Sequence, residues 1–124
     1  MFKFKESETV EFKLILTDEL KKEVVAFANT RGGTIYIGVE DEGNITGIQG
    51  SSERICEQIS SMVHDGIKPD VTMFINIMTE RIDNQDIVKV VVQRGTKRPY
   101  YLTDKGFKPS GVYTRLGNTS VPAT

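Results

Sequence analysis

Ala26-Phe27-Ala28-Asn29-Thr30-Arg31-Gly32-Gly33-Thr34-Ile35-Tyr36-Ile37-Gly38-Val39-Glu40-Asp41 decides the fold, because it reads as a helix end, a glycine corner and a strand running into carboxylates. Just upstream, Leu20, Val24, Phe27 and Ala28 fall at i, i+4, i+7 and i+8, one apolar helix face. Gly32 and Gly33 can both take the positive φ of a C-terminal cap, and Arg31 suits the negative end of the helix dipole. Residues 34–39 are apolar and β-branched, which predicts a central strand covered on at least one side.

Outward from this corner, the rest of the chain supplies partners for both elements. Val10, Phe12 and Leu14 alternate with Glu11, Lys13 and Ile15, a strand pattern with an apolar face and a partly charged one. Thr17 or Asp18 is placed to cap the first helix. Residues 41–44 have turn chemistry, and 45–48 return as the second arm of a hairpin. Ser51 or Ser52 caps a second helix on which Ile55, Ile59, Met62 and Val63 repeat the apolar spacing, and Gly66 with Pro69 ends it. Residues 71–78 and 87–93 flank a polar turn at 83–86, an antiparallel hairpin. Tyr100-Tyr101-Leu102 and 112–115 add two short strands around Asp104-Lys105-Gly106, and 121–124 shows no closing element. The expected fold is α+β, two main helices on a mixed, largely antiparallel sheet.

At 124 residues the chain is one domain. Its charged fraction of 27% and net charge of -1 exclude a strongly basic protein, so any phosphate-binding site must be a local patch. The one cysteine, Cys56, excludes an internal disulfide and a cysteine zinc site, and it reads as a small thiol beside the second helix's apolar face. His64, the one histidine, excludes a histidine-pair metal site. No G-x-x-x-x-G-K-[ST] stretch is present for a P-loop ATP site. No signal peptide or bilayer-length apolar run appears, so the cytoplasm is the expected compartment and a membrane is not an expected partner.

The 26–41 run resembles the hallmark of the Schlafen AlbA_2 family, once described as a divergent AAA domain. Three further blocks agree in order: Glu6-Ser7-Glu8-Thr9-Val10-Glu11-Phe12-Lys13, Lys97-Arg98-Pro99-Tyr100-Tyr101, and Val112-Tyr113-Thr114-Arg115-Leu116-Gly117-Asn118. The resemblance implies an AlbA_2-type fold over residues 1–124, expected as the N-terminal part of a longer, bacterial-style transcriptional regulator that binds DNA or RNA. Some members of the family are nucleases. In those, two glutamates five apart precede a Phe-Lys pair and an aspartate follows the strand, which maps onto Glu6, Glu11, Lys13 and Asp41. The resemblance thus implies Glu6, Glu11 and Asp41 as ligands of Mg²⁺ or Mn²⁺, with Lys13 on the scissile phosphate. Five residues is an odd strand spacing, so Glu6 reaches the Glu11 face only if the chain bends before the strand. The competing reading of these acids is solvated surface at a terminus and a turn.

For polyanion recognition the candidates are Lys13, Asn29, Arg31, Lys97, Arg98, Tyr100, Tyr101 and Arg115, with Arg94 in the same run. Cations interleaved with aromatics suit backbone pairing and base stacking. The bland alternative is an exposed hairpin whose tyrosines pack on the sheet. A third function class is a protein-interaction or nucleotide-sensing domain, and exposed sheet edges leave a surface for a homodimer.

Overall fold

The computed structural model describes residues 5–123. Strand β1 (Val10–Lys13), helix α1 (Leu20–Asn29) and strand β2 (Gly33–Ile37) form a parallel crossover, with Val10 opposite Thr34 and Lys13 opposite Ile37. Helix α2 (Ser52–Gly66) follows, then β3 (Ile67–Lys68), a 3-10 turn (Thr72–Phe74), and the hairpin of β4 (Ile75–Ile82) and β5 (Gln85–Val92). The main sheet has the order β1-β2-β5-β4, with β5 antiparallel to both neighbours. The fold is therefore α+β with a mixed, largely antiparallel sheet.

Two small ribbons complete it. Strand β6 (Tyr101–Leu102) pairs with β3, and β7 (Tyr113–Leu116) pairs with β8 (Thr119–Pro122). The two short strands expected at 100–102 and 112–115 exist, but each pairs elsewhere, and residues 119–122 supply an element that the sequence did not reveal. Among the described residues no helix is long and apolar enough to cross a membrane.

Helix α1 is buried from Glu23 to Ala28 on every side, beyond the single face that periodicity gives it. The reason is its position: it packs against the sheet and α2 on one side and against β7 and β8 on the other. At its start the Thr17 hydroxyl accepts from Glu19 N at 3.3 Å and the Thr17 carbonyl from Leu20 N at 3.1 Å, whereas Glu19, the residue just before the helix, makes no side-chain cap bond. At its end Gly32, with φ +76, donates from N to Phe27 O at 2.8 Å. Gly33 has a different task from the expected cap. It opens β2, where a Cβ would stand 2.6 Å from the Phe27 ring.

The main core gathers Leu20, Val24, Phe27, Ile35, Ile59 and Val90 among others, between the helices and the sheet. A smaller cluster of Phe12, Tyr36, Val39 and Ile87 covers the opposite sheet face. With both faces covered, β1 ends at Lys13, and Leu14 and Ile15 are exposed, where the alternating pattern had continued the strand. The expected hairpin arm at 45–48 reduces to one bridge, Val39 to Ile45. Ser51 does cap α2, its hydroxyl accepting from Arg54 N at 3.3 Å. Residues 71–74 belong to a 3-10 turn and its cap, and β4 begins only at Ile75.

Candidate nucleic-acid interface and the acidic pocket

The β1–α1–β2 crossover sets the functional side chains at two ends of one short strand pair. Arg31 and Gly32 precede β2, and Asp41 lies just past its far end. Gly33 to Ile37 spans about 13 Å at ~3.3 Å per residue. Lys13 and Asp41 thus lie toward the far end, while Glu11 stands opposite Ile35, midway along β2.

At the far end, Glu6, Glu11, Lys13, Glu23, Asp41 and Ser120 line one polar pocket of about 490 Å³. The bend that strand parity demands is present: Ser7 and Val10 form an isolated antiparallel bridge, and Glu6 folds back so that its Oε2 accepts from Phe12 N at 3.1 Å. Glu11 is held by both pocket cations, Oε1 at 2.8 Å from Arg115 Nη2 and Oε2 at 3.5 Å from Lys13 Nζ. Glu23 repeats the arrangement, 2.9 Å from Lys13 Nζ and 3.3 Å from Arg115 Nη1, and also accepts from the Ser120 hydroxyl.

Burial, together with the neighbouring Glu23 charge, pushes the Glu11 carboxyl up to about 7, against the pull of Arg115 and Lys13. Lys13 is raised in turn: burial lowers it, but its contacts with Glu23 and Glu11 prevail. Sequence reasoning missed Glu23. Its signal was an acid inside α1 immediately before the buried run 24–28.

Arg115 is the hub of the ion cluster that joins Glu11 and Glu23, and its side chain is fully buried. It donates to Ser7 O at 2.8 Å, Val10 O at 3.2 Å and Ser120 Oγ at 3.0 Å, and its guanidinium carbon lies 4.8 Å from the centre of the Phe27 ring. Expected on the sequence to meet phosphate, Arg115 faces inward because two buried carboxylates need a counter-charge. Lys13 is likewise turned to Glu11 and Glu23, with its side chain 24% exposed. No group of three or more His, Cys, Asp or Glu side chains among the described residues is spaced to hold a metal ion. With Glu11 and Glu23 already matched by two cations of the chain itself, the donor set as placed does not fit a Mg²⁺ or Mn²⁺ cage.

At the near end, two distant segments meet. Gly95 N donates to Ala28 O at 2.9 Å, and Gly32 sits so close to the 92–94 backbone that its Cβ would lie 3.2 Å from Arg94 N. This brings Arg31 to the base of the loop that carries Arg94, Lys97 and Arg98, all four exposed. Arg31 pairs with Glu8 at 2.7 Å. Among the described residues no acid pairs with Arg94, Lys97 or Arg98, and Arg98 Nε donates to Gly95 O at 2.9 Å.

Asn29 and Tyr100 lie beneath this loop. Asn29 Nδ2 donates to Tyr100 O at 3.0 Å and Tyr113 O at 2.9 Å, and its Oδ1 accepts from Tyr100 N at 2.7 Å. Tyr100 is 0% exposed, and its hydroxyl accepts from Lys97 N at 3.1 Å. Both residues were expected on the binding surface. The buried Tyr100 ring braces the loop instead and cannot reach a base, and the half-buried Asn29 amide spends its oxygen and nitrogen on the 100 and 113 backbone. Tyr101 is half-buried, with its ring centre 5.4 Å from that of Phe107.

Cys56 is half-buried beside the main core, with its sulfur 3.9 Å from Thr79 Oγ1. His64 is exposed at the end of α2, its Nδ1 3.1 Å from Asp65 Oδ1.

Solved structures that share this architecture include the following two. The DIP2311 protein from Corynebacterium diphtheriae superposes with a TM-score of 0.70 at 20% identity, over 94% of this chain and 22% of that one. The N-terminal domain of a RecG-related protein from Nitrosomonas europaea gives 0.67 at 19% identity, over 93% and 82%. The chain thus spans 22% of the Corynebacterium protein's length. At these identities the likeness is one of fold. No curated protein is significantly similar to the chain. The family signature of Schlafen, AlbA_2 matches residues 6–124, nearly the whole sequence, and includes the pocket and the cationic loop alike, so the chain belongs to the Schlafen AlbA_2 family.

Proposed function

We propose that this domain binds nucleic acid through the cationic end of the crossover, as part of a DNA- or RNA-associated regulator. The observation that carries the reading is the meeting of Arg31 with Arg94, Lys97 and Arg98, exposed cations from two segments joined by the Gly95–Ala28 hydrogen bond. An almost neutral chain that gathers three cations outside any ion pair among the described residues, Arg94, Lys97 and Arg98, beside the Glu8-paired Arg31 presents a local field suited to phosphates. Family membership and the RecG-related DNA helicase name of the Nitrosomonas protein support the same class of partner. A role in transcription, a cytoplasmic location and a homodimer formed along the open edge of β4 are consistent extensions of this reading.

Contacts of this kind go to the backbone, so they predict affinity with little sequence preference. A labelled single strand titrated at several salt concentrations is expected to show a log–log slope of about -2 for three phosphate contacts. Lys97→Ala is expected to weaken binding and to make the slope shallower by about 0.7. A salt-independent shift, or no shift, overturns the reading.

Metal-dependent cleavage is the competing reading: Glu6, Glu11 and Asp41 line one pocket, although Glu11 is paired with Arg115 and Lys13 and the three are not spaced as a metal cage. The same strand incubated with Mn²⁺ separates the two. Intact strands keep the binding reading, whereas fragments that vanish with Glu11→Gln replace it.

A further inference from the structure

Beyond the cationic loop, one exposed feature has no structural task. Phe107 is 68% exposed, and among the described residues it is the one aromatic ring in the set of large exposed apolar side chains. It stands on the 103–108 turn, where Gly106 adopts φ +80 and accepts from Lys108 N at 3.0 Å. Its ring lies against Tyr101, centres 5.4 Å apart and planes inclined by 48°, which leaves one Phe107 face to solvent. Tyr101 belongs to β6, one residue beyond the buried Tyr100 that holds the Lys97 backbone, so the aromatic pair and the cationic loop are parts of one continuous backbone run.

Cations flank the pair from three directions. Lys105 and Lys108 bracket Phe107 on the turn, Lys68 is the cross-strand partner of Tyr101, and Lys97 and Arg98 precede it. All five are exposed, and among the described residues none is in an ion pair. Asp104 is the one acid on the turn. An exposed ring backed by a second ring, with exposed cations outside any ion pair on the same backbone run, has the composition of a stacking platform. Such platforms take a base against the ring while the cations take the flanking phosphates.

We infer that Phe107, backed by Tyr101, stacks an unpaired base of a single-stranded nucleic acid whose backbone runs along Lys97, Arg98, Lys105 and Lys108. This rests on the nucleic-acid reading above and specifies its substrate as an unpaired strand. A duplex offers no free base face to the ring, so the platform favours single strands over duplexes.

The test compares a labelled oligothymidylate of about 20 nucleotides with an abasic strand of the same length, by fluorescence anisotropy at one salt concentration. Wild-type protein is expected to bind the thymidylate more tightly. Phe107→Ala is expected to weaken thymidylate binding about tenfold, to leave the abasic strand unaffected, and to keep the salt slope. Phe107→Tyr is expected to restore it. Because Phe107 is exposed, an unchanged circular dichroism melt shows that the variant is folded. If Phe107→Ala leaves thymidylate affinity unchanged, or weakens both strands equally, the platform is overturned while the cationic reading stands. If wild-type protein binds neither strand, the underlying reading falls and the platform with it.

Discussion

Glu11 is a carboxylate whose neighbours oppose one another: burial and Glu23 disfavour its charge, while Arg115 and Lys13 favour it. Its folded-state pKa of about 7 lies above the ordinary 4.5, so between these values the folded chain binds more protons than the unfolded one. The Glu11 contribution to stability is therefore full below about pH 4.5 and lost as pH rises through about 7. Melting temperature measured across this window should fall with rising pH in the wild type and flatten in Glu11→Gln. A wild-type profile that instead climbs through the window would contradict the burial argument. Such a residue was only half visible in the sequence. The family pattern pointed to Glu6, Glu11 and Asp41, and the structure sets all three around one pocket. The pairing of Glu23 with the inward-turned Arg115 had no local signal beyond an acid set inside α1, since the two lie 92 positions apart.

Elements show the same division between local and distant causes. The glycine corner was legible because its causes are local: a helix must stop, Gly32 has the φ for it, and β2 follows at once. The task of Gly33 was not, because it depends on where the Phe27 ring comes to rest. At 2.6 Å a methyl group overlaps that buried ring, and the ring cannot move without displacing the core around α1. Gly33→Ala should cost about 1–3 kcal/mol in urea unfolding, the range for overpacking a close-packed interior. The β4–β5 hairpin was also local in origin. Asp83 and Asn84 carry φ of 53 and 62, the left-handed pair that a two-residue turn requires and that Asx side chains tolerate. The pairings of β6 with β3 and of β7 with β8 escaped because two-residue and four-residue strands have too little periodicity to announce a partner.

On the scale of the whole molecule, the family resemblance carried the fold further than periodicity alone, since four blocks in a fixed order constrain topology as well as element type. The electrostatic arrangement is the part that required coordinates. An ordinary net charge of -1 conceals a four-member ion cluster joining β1, α1 and β7 and a set of exposed cations on the 94–98 loop. Breaking the cluster at its hub is costly, because Arg115→Met leaves Glu11 and Glu23 with Lys13 alone. The expected loss is about 3–5 kcal/mol, read as a lower urea midpoint. A change below about 0.5 kcal/mol would place Arg115 among ordinary surface charges.

The hub also has a temporal meaning. Glu11 belongs to β1 and Arg115 to β7, so within this domain the opening segment must wait, its acids solvated, until the residues up to Arg115 have been made. Closure of the N-terminal edge and arrival of the last ribbon are then a single event. Domain boundaries drawn short of Pro122 would cut a keystone rather than a tail.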